Sequence, residues 1–157
     1  TYTVRSWENA EREYYLNKEH RYFVSVMDEN SVRVPQFSRN LDKDHWHPIY
    51  LNAASRDVRK INSILKELIE WKKKIPEGQH IVLHCSMGMV RSPSFALALL
   101  LQDGYSPKDA FKYLKSQKPL DGCYDNEMEF DAIIIEMIDE HFSLDGDLVE
   151  AFFERFH

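Results

Sequence analysis

Two cysteines, Cys85 and Cys123, are all the chain has. That is too few for a disulfide framework, so each is read as a free thiol in a reducing compartment. Long apolar runs are missing as well. No stretch of about 18 uncharged apolar residues occurs, which excludes a membrane-spanning helix. The opening "TYTVRSWENAEREYY" has none of the apolar core of a signal peptide, and the expectation is a cytoplasmic protein. Excess positive charge is also absent. A net charge of -6 argues against wholesale binding of nucleic acid or anionic membrane, both of which favour basic surfaces. The one basic run, Lys72, Lys73 and Lys74, reads as the solvated end of a helix, where cations complement the dipole. No repeat, low-complexity tract or composition shift divides the chain, so one domain is expected over 1–157. With 43% apolar and 29% charged residues, that domain is able to bury a core.

What is present is an alternation of strand and helix signals. "SWENAEREYYLNK" reads as a helix capped by Ser6, and "YFVSVM" (22 to 27) as a buried strand. From Asp28 to Asp44 the pattern breaks into loop, with room for one short strand. "HPIYL" (47 to 51) reads as another strand, with Pro48 near its start. Ser55 is the expected cap of a helix whose apolar positions Val58, Ile61, Leu65 and Leu68 recur at helical spacing, and "PEG" (76 to 78) ends it. "HIVLH" (80 to 84) has the character of a central strand.

A helix then begins near Arg91. Another follows with Ser106 as its cap and Pro107 at its first position. Two more carry Met128, Ile133, Ile134, Met137 and Ile138, then Leu148, Phe152, Phe153 and Phe156. The order is that of an α/β fold with a mainly parallel sheet of about four to five strands flanked by helices.

The chemistry concentrates where the strand at 80–84 gives way to a helix, in "HCSMGMVRS" (84 to 92). A tight loop at such a junction turns its backbone N–H groups inward at the positive end of the helix and forms an anion nest. Phosphate suits it. Cys85 under that nest lies in a positive potential that favours thiolate over thiol. Gly88 lets the loop turn tightly. Arg91, at its far end, carries a planar fork able to hold two phosphate oxygens at once. The five-residue spacing thus wraps one phosphoryl group, with a nucleophile below and a clamp beside it.

These residues match the H-C-x5-R-S signature of the cysteine-dependent protein tyrosine phosphatases, and "RSPSFALALLL" resembles their small dual-specificity branch. The order of elements fits that branch across nearly the whole chain. The resemblance implies a phosphate loop between strand and helix and a phosphocysteine mechanism without metal or cofactor. Cys85 attacks phosphorus, Arg91 binds the equatorial oxygens, Ser92 helps the thiolate leave, and His84 orients the cysteine. Ser86, Met87, Gly88, Met89, Val90 and Arg91 would surround the phosphoryl group. Asn126 lies where related phosphatases often use a polar side chain to steady the loop, although a helix N-cap explains it equally. None of Ser86, Met87, Met89 and Val90 is basic, which favours a singly phosphorylated substrate, and their apolar side chains favour phosphotyrosine. The implied partner is a phosphorylated protein or peptide.

An attacking cysteine needs an acid to protonate the departing phenolate. The related phosphatases carry an aspartate for this on the loop before the long helix. Here that loop reads "LNAASRD", and Asn52 cannot serve. Asp57 is the nearest carboxylate, but it is also an ordinary first-turn anion. Asp42 and Asp44 on the preceding loop are further candidates, and a site without an aspartate acid is the remaining one. That last case admits a phosphate-binding pseudophosphatase as the alternative function. A different thiol enzyme, such as a sulfur transferase or arsenate reductase, would need a resolving cysteine, for which only Cys123 is available. His45 and His47 have a metal-ligand spacing without the further ligands of a site and read as surface.

Overall fold

The computed structural model describes residues 1–17, 19–86, 89–117 and 128–156. Met87, Gly88, Cys123 and Asn126 lie outside the described residues.

The N-terminal half holds β1 (Tyr2–Arg5), α1 (Trp7–Leu16), β2 (Tyr22–Met27), a short 3-10 helix (Gln36–Arg39), β3 (Trp46–Tyr50) and α2 (Val58–Lys73). Strand β4 (Ile81–Cys85) follows. After it come α3 (Arg91–Gln102), α4 (Pro107–Lys115), α5 (Ala132–His141) and α6 (Asp147–Phe156). The four strands form one parallel sheet in the order β1-β4-β2-β3. The expected parallel α/β architecture is therefore present, with β4 flanked on both sides.

Alternation along the strands sorts side chains to two faces. Val24, Val26, Ile81, Leu83 and Cys85 enter the larger core, with Phe95, Leu99 and Ile135. Phe23 and Val82 face the other way, onto Ala10 of α1 and Phe37 of the 3-10 helix. Strand β4 thus presents Cys85 to the face covered by α2 and α3, and His84 to the face covered by α1.

Several details differ from the sequence reading. Strand β1 was not expected. Its Tyr2 and Val4 are buried while it runs along β4, pairing Tyr2 with Ile81 and Arg5 with His84. The 28–44 segment forms a 3-10 helix, not a strand, and buries Phe37. The cap of α2 is Asp57, not Ser55: the Asp57 carboxylate accepts from the Lys60 N–H at 3.1 Å, while the Ser55 hydroxyl accepts from the Asp57 N–H at 3.3 Å. Met128 precedes α5, which begins on an Asp131 cap. Pro48 is accommodated because β3 is an edge strand, where a missing N–H breaks no ladder on the outer side. Among the described residues no helix is long and apolar enough to cross a membrane.

Candidate active site

In a parallel sheet every strand points the same way, so the loops after β1, β2, β3 and β4 gather at one end. That end holds Cys85, at the last residue of β4 and 1% exposed. The Ser92 hydroxyl, in the first turn of α3, donates to its sulfur at 3.3 Å. The fold thus brings Cys85 and Ser92 into contact.

Helix α3 departs from its neighbours in how it begins. Helices α1, α2, α4 and α5 start on side-chain caps from Ser6, Asp57, Ser106 and Asp131. Helix α3 starts at Val90 with no side-chain cap. Its first N–H groups are left to water or to an anion.

Arg91 is 2% exposed, a buried cation at the positive end of a helix, and needs compensation. Sequence reasoning missed the source. Asp28, the residue after β2, accepts from Arg91 Nη1 at 2.8 Å, and the Leu51 carbonyl after β3 accepts from the same nitrogen at 2.5 Å. Arg91 Nη2 donates to the Ser86 hydroxyl at 2.9 Å. Both Nη1 hydrogens are therefore used in anchoring. The Nε–H and the second Nη2 hydrogen have no partner among the described residues. The side chain is anchored through Nη1 and Ser86 and keeps donors for a further acceptor, such as the oxygens of a phosphoryl group.

The loops that anchor Arg91 are tied together. The Leu51 N–H donates to the Met27 carbonyl at 2.9 Å, and Asn52 Oδ1 accepts from the Glu29 N–H at 2.8 Å. Asn52, in the position first inspected for an acid, is thus a tie between loops. Ala54 in the same loop takes a left-handed conformation, φ 59°. On the far side of the signature, the Ser94 hydroxyl donates to the Val90 carbonyl at 2.7 Å and accepts from the Asp131 N–H at 2.8 Å. The Glu129 N–H donates to the Met89 carbonyl at 2.9 Å. Met89 is buried in the core, so it offers the loop its backbone and not an apolar wall for substrate.

His84 points away from the sulfur, onto the α1 face. Its Nε2 takes the Ser25 hydroxyl at 2.6 Å, and that hydroxyl accepts the Trp46 indole N–H at 2.8 Å. The Trp7 ring stands edge-on to the imidazole at 4.9 Å. Burial pushes the His84 pKa down to about 3, with the backbone of Cys85 opposing the shift. The ring is neutral, and it orients the strand end as a dipole.

That burial has a measurable consequence. Above pH about 6.5 His84 is neutral both folded and unfolded, and it adds no pH dependence. Below it, the unfolded chain takes a proton that the folded protein refuses, so stability falls as pH drops toward the folded value of about 3. Between pH 7 and pH 5 the loss from this residue is about 2 kcal/mol. Denaturant unfolding of wild type and His84→Gln at the two pH values checks it. His47 and His80, also pushed down by burial to about 4 and about 3, contribute to both proteins alike. A slope unchanged by the substitution would refute the assignment.

The acid candidates separate by topology. Asp42 and Asp44 precede β3 and so sit at the opposite end of the sheet from Cys85. Asp42 is engaged there, accepting from the backbone of Asp44 and His45 and pairing with the His45 ring at 2.7 Å. The expectation that this loop folds over the site fails for that reason. Asp57 lies at the correct end, as a helix cap.

No protein-family model matches the chain, and no curated protein does. Solved structures do match. The Cydia pomonella PTP-2 phosphatase has a TM-score of 0.59 at 15% identity, over 84% of this chain and 78% of its own. Human DUSP28 reaches 0.59 at 16% identity over 92% and 94%. The fold is that of the cysteine-dependent tyrosine phosphatases. A third structure with this phosphatase fold, the human tyrosine phosphatase-like serine/threonine/tyrosine-interacting protein, has a TM-score of 0.53 at 17% identity, over 81% and 79%. At such identities it is the backbone arrangement that is shared.

Proposed function

We propose that the protein hydrolyses phosphomonoesters, phosphotyrosine in peptides first among them, through a phosphocysteine intermediate. Arg91 carries the proposal: Asp28 and Leu51 hold its Nη1, Ser86 takes one hydrogen of Nη2, and its Nε–H and second Nη2 hydrogen remain for a phosphoryl group at the end of the strand that carries Cys85. In this reading the phosphoryl oxygens take those two donors and the N–H groups at the uncapped start of α3. The Cys85 thiolate attacks phosphorus, the P–O bond to the leaving group breaks, and the phosphoryl group passes to sulfur. Water then displaces the sulfur, and the Ser92 hydroxyl donates to the departing thiolate. The chemistry calls on no metal or cofactor.

The protonation of the leaving group is the weak step. Asp57 is occupied as the cap of α2, and Asp28 is engaged with Arg91 Nη1 at 2.8 Å. The reading is a slow enzyme, fastest on leaving groups that depart without a proton. Accordingly, Asp57→Ala should lower stability by about 1 kcal/mol, the usual cost of a lost cap, and leave turnover of phosphotyrosine within about twofold of wild type. Thermal unfolding and steady-state kinetics on the same preparation check this. A large drop in turnover with an altered pH profile would make Asp57 the acid.

The pseudophosphatase reading is supported by that same lack of an acid, and one of the fold's other members is described as phosphatase-like. Hydrolysis of an aryl phosphate by the wild-type protein in the presence of chelator decides between them. Turnover above background establishes the enzyme. Binding of orthophosphate without turnover establishes the module.

A further inference from the structure

Beyond the phosphoryl site, the catalytic end of the sheet carries a second arginine held in a fixed place. Arg33 lies on the loop that runs on from Asp28. That loop is formed by local hydrogen bonds: the Ser31 N–H donates to the Asp28 carbonyl at 3.1 Å, and the Ser31 hydroxyl bridges the carbonyl and N–H of Arg33 at 3.0 and 3.2 Å. The Arg33 guanidinium lies over the Trp7 indole, 4.3 Å from its centroid. Trp7 opens α1, directly after β1, and its ring meets His84 at 4.9 Å. Strand β4 lies between β1 and β2, so one aromatic ring separates Arg33 from the strand that ends in the nucleophile.

The charge state of this corner is unbalanced. The nearby anions are committed elsewhere, Asp28 to Arg91 and Glu29 to Lys60. Arg5 at the end of β1 is paired with Glu13 at 3.1 Å. Arg33 has the indole face as its partner and no carboxylate within ion-pair distance among the described residues. A guanidinium held over an indole is already ordered and keeps N–H donors for a further partner, so a carboxylate docks with little loss of side-chain freedom. Val32 beside it is 99% exposed, an apolar shoulder of the kind a peptide side chain covers.

We propose that Arg33 is a second anion-binding point of the site, which selects phosphotyrosine peptides carrying a carboxylate next to the phosphorylated residue. The inference rests on the reading that the Cys85–Arg91 loop holds the phosphoryl group. A peptide is the occupant, because the exposed valine favours a chain with side chains over a bare polyanion.

The test uses two phosphotyrosine peptides that differ only in Glu or Gln at the flanking positions. Each is measured with wild type, Arg33→Gln and Arg12→Gln, the last a control for net charge on the exposed face of α1. The wild type should favour the Glu peptide by about 2- to 5-fold in kcat/KM, the upper part of the range for one exposed guanidinium–carboxylate pair. That ratio should fall to near one in Arg33→Gln and persist in Arg12→Gln. The same ratio of dissociation constants, read by fluorescence anisotropy on the Cys85→Ser background, reports the preference without turnover.

A wild type that ignores the Glu-to-Gln change, or a preference that survives Arg33→Gln, overturns the inference. So does faster hydrolysis of a doubly phosphorylated inositol lipid than of either peptide, since that assigns the charge to a second phosphate. An aryl phosphate run alongside separates the two levels. Its hydrolysis with no peptide preference removes Arg33 alone. No hydrolysis, with the anisotropy preference intact, removes the enzyme reading and keeps the anion point.

Discussion

Cys85→Ser should reduce hydrolysis of an aryl phosphate to background, a loss on the order of 10⁴-fold or more, and leave binding of orthophosphate within a few-fold of wild type. The two halves of that expectation come from different atoms. Binding depends on the uncapped start of α3 and on Arg91, whose anchors are Asp28, Leu51 and Ser86. These anchors are all oxygens, which the substitution leaves unchanged. Attack depends on the sulfur itself, because a serine hydroxyl needs a base to take its proton, and the Ser92 hydroxyl that is hydrogen-bonded at that position is not one. His84 is the nearest imidazole in sequence, but it lies on the other face of the sheet, bound to Ser25. Calorimetry with orthophosphate and a colorimetric assay on one preparation suffice. Undiminished hydrolysis would sink the phosphocysteine mechanism, and a loss of phosphate binding would mean that the nest is not where α3 begins.

Arg91→Lys is the second large effect, with an expected loss of about 10²- to 10³-fold in kcat/KM. An ammonium can pair with Asp28 or face the phosphoryl group. It cannot do both, because it lacks the separate edges that let the guanidinium be anchored and still present a fork. The same geometry predicts a graded partner. Asp28→Asn keeps an acceptor near Nη1 but removes the charge that offsets a buried cation, and should cost about tenfold, mostly in KM. If Arg91→Lys retains most of the activity, the arginine is a structural cation and the phosphoryl group is held by backbone alone. If Asp28→Asn is silent, the Leu51 carbonyl is a sufficient anchor.

The parts of this site that could be read in the sequence are those whose partners are close in the chain. Cys85, Arg91 and Ser92 fall within one strand-loop-helix unit, so spacing alone brings them together. Asp28 could not be found that way. Its role exists only because β2 lies beside β4 in a parallel sheet, which puts the residue after Met27 next to the loop after Cys85. The same fact of direction removed Asp42 and Asp44, which look near the site on paper and lie at the other end of β3. Strand β1 escaped notice because it is only four residues long and carries a buried arginine, so it shows neither alternation nor an apolar run. The cap of α2 was misassigned because Ser55 and Asp57 are both good capping types, two residues apart, and only the backbone decides between them. Arg91 at the start of a helix did signal the need for an anion, and the sequence reading supplied substrate as that anion. The protein supplies one of its own.

Strand β1 bears on how the protein comes into being. It pairs Tyr2 with Ile81, so the strand that carries Cys85 cannot acquire both neighbours until the first and the eighty-first residues have met. Contacts this distant close loops of large entropy and form slowly. During synthesis, β2 and β3 can pair as soon as they emerge, with β4 still inside the ribosome. The strand that ends in Cys85 is therefore seated only after β1 and β2 are both in place to receive it. A chain in that half-assembled state has its cysteine and its arginine but no common frame to aim them. The appearance of phosphate binding in a refolding experiment should accordingly lag behind helix formation, and mark the closing of the sheet.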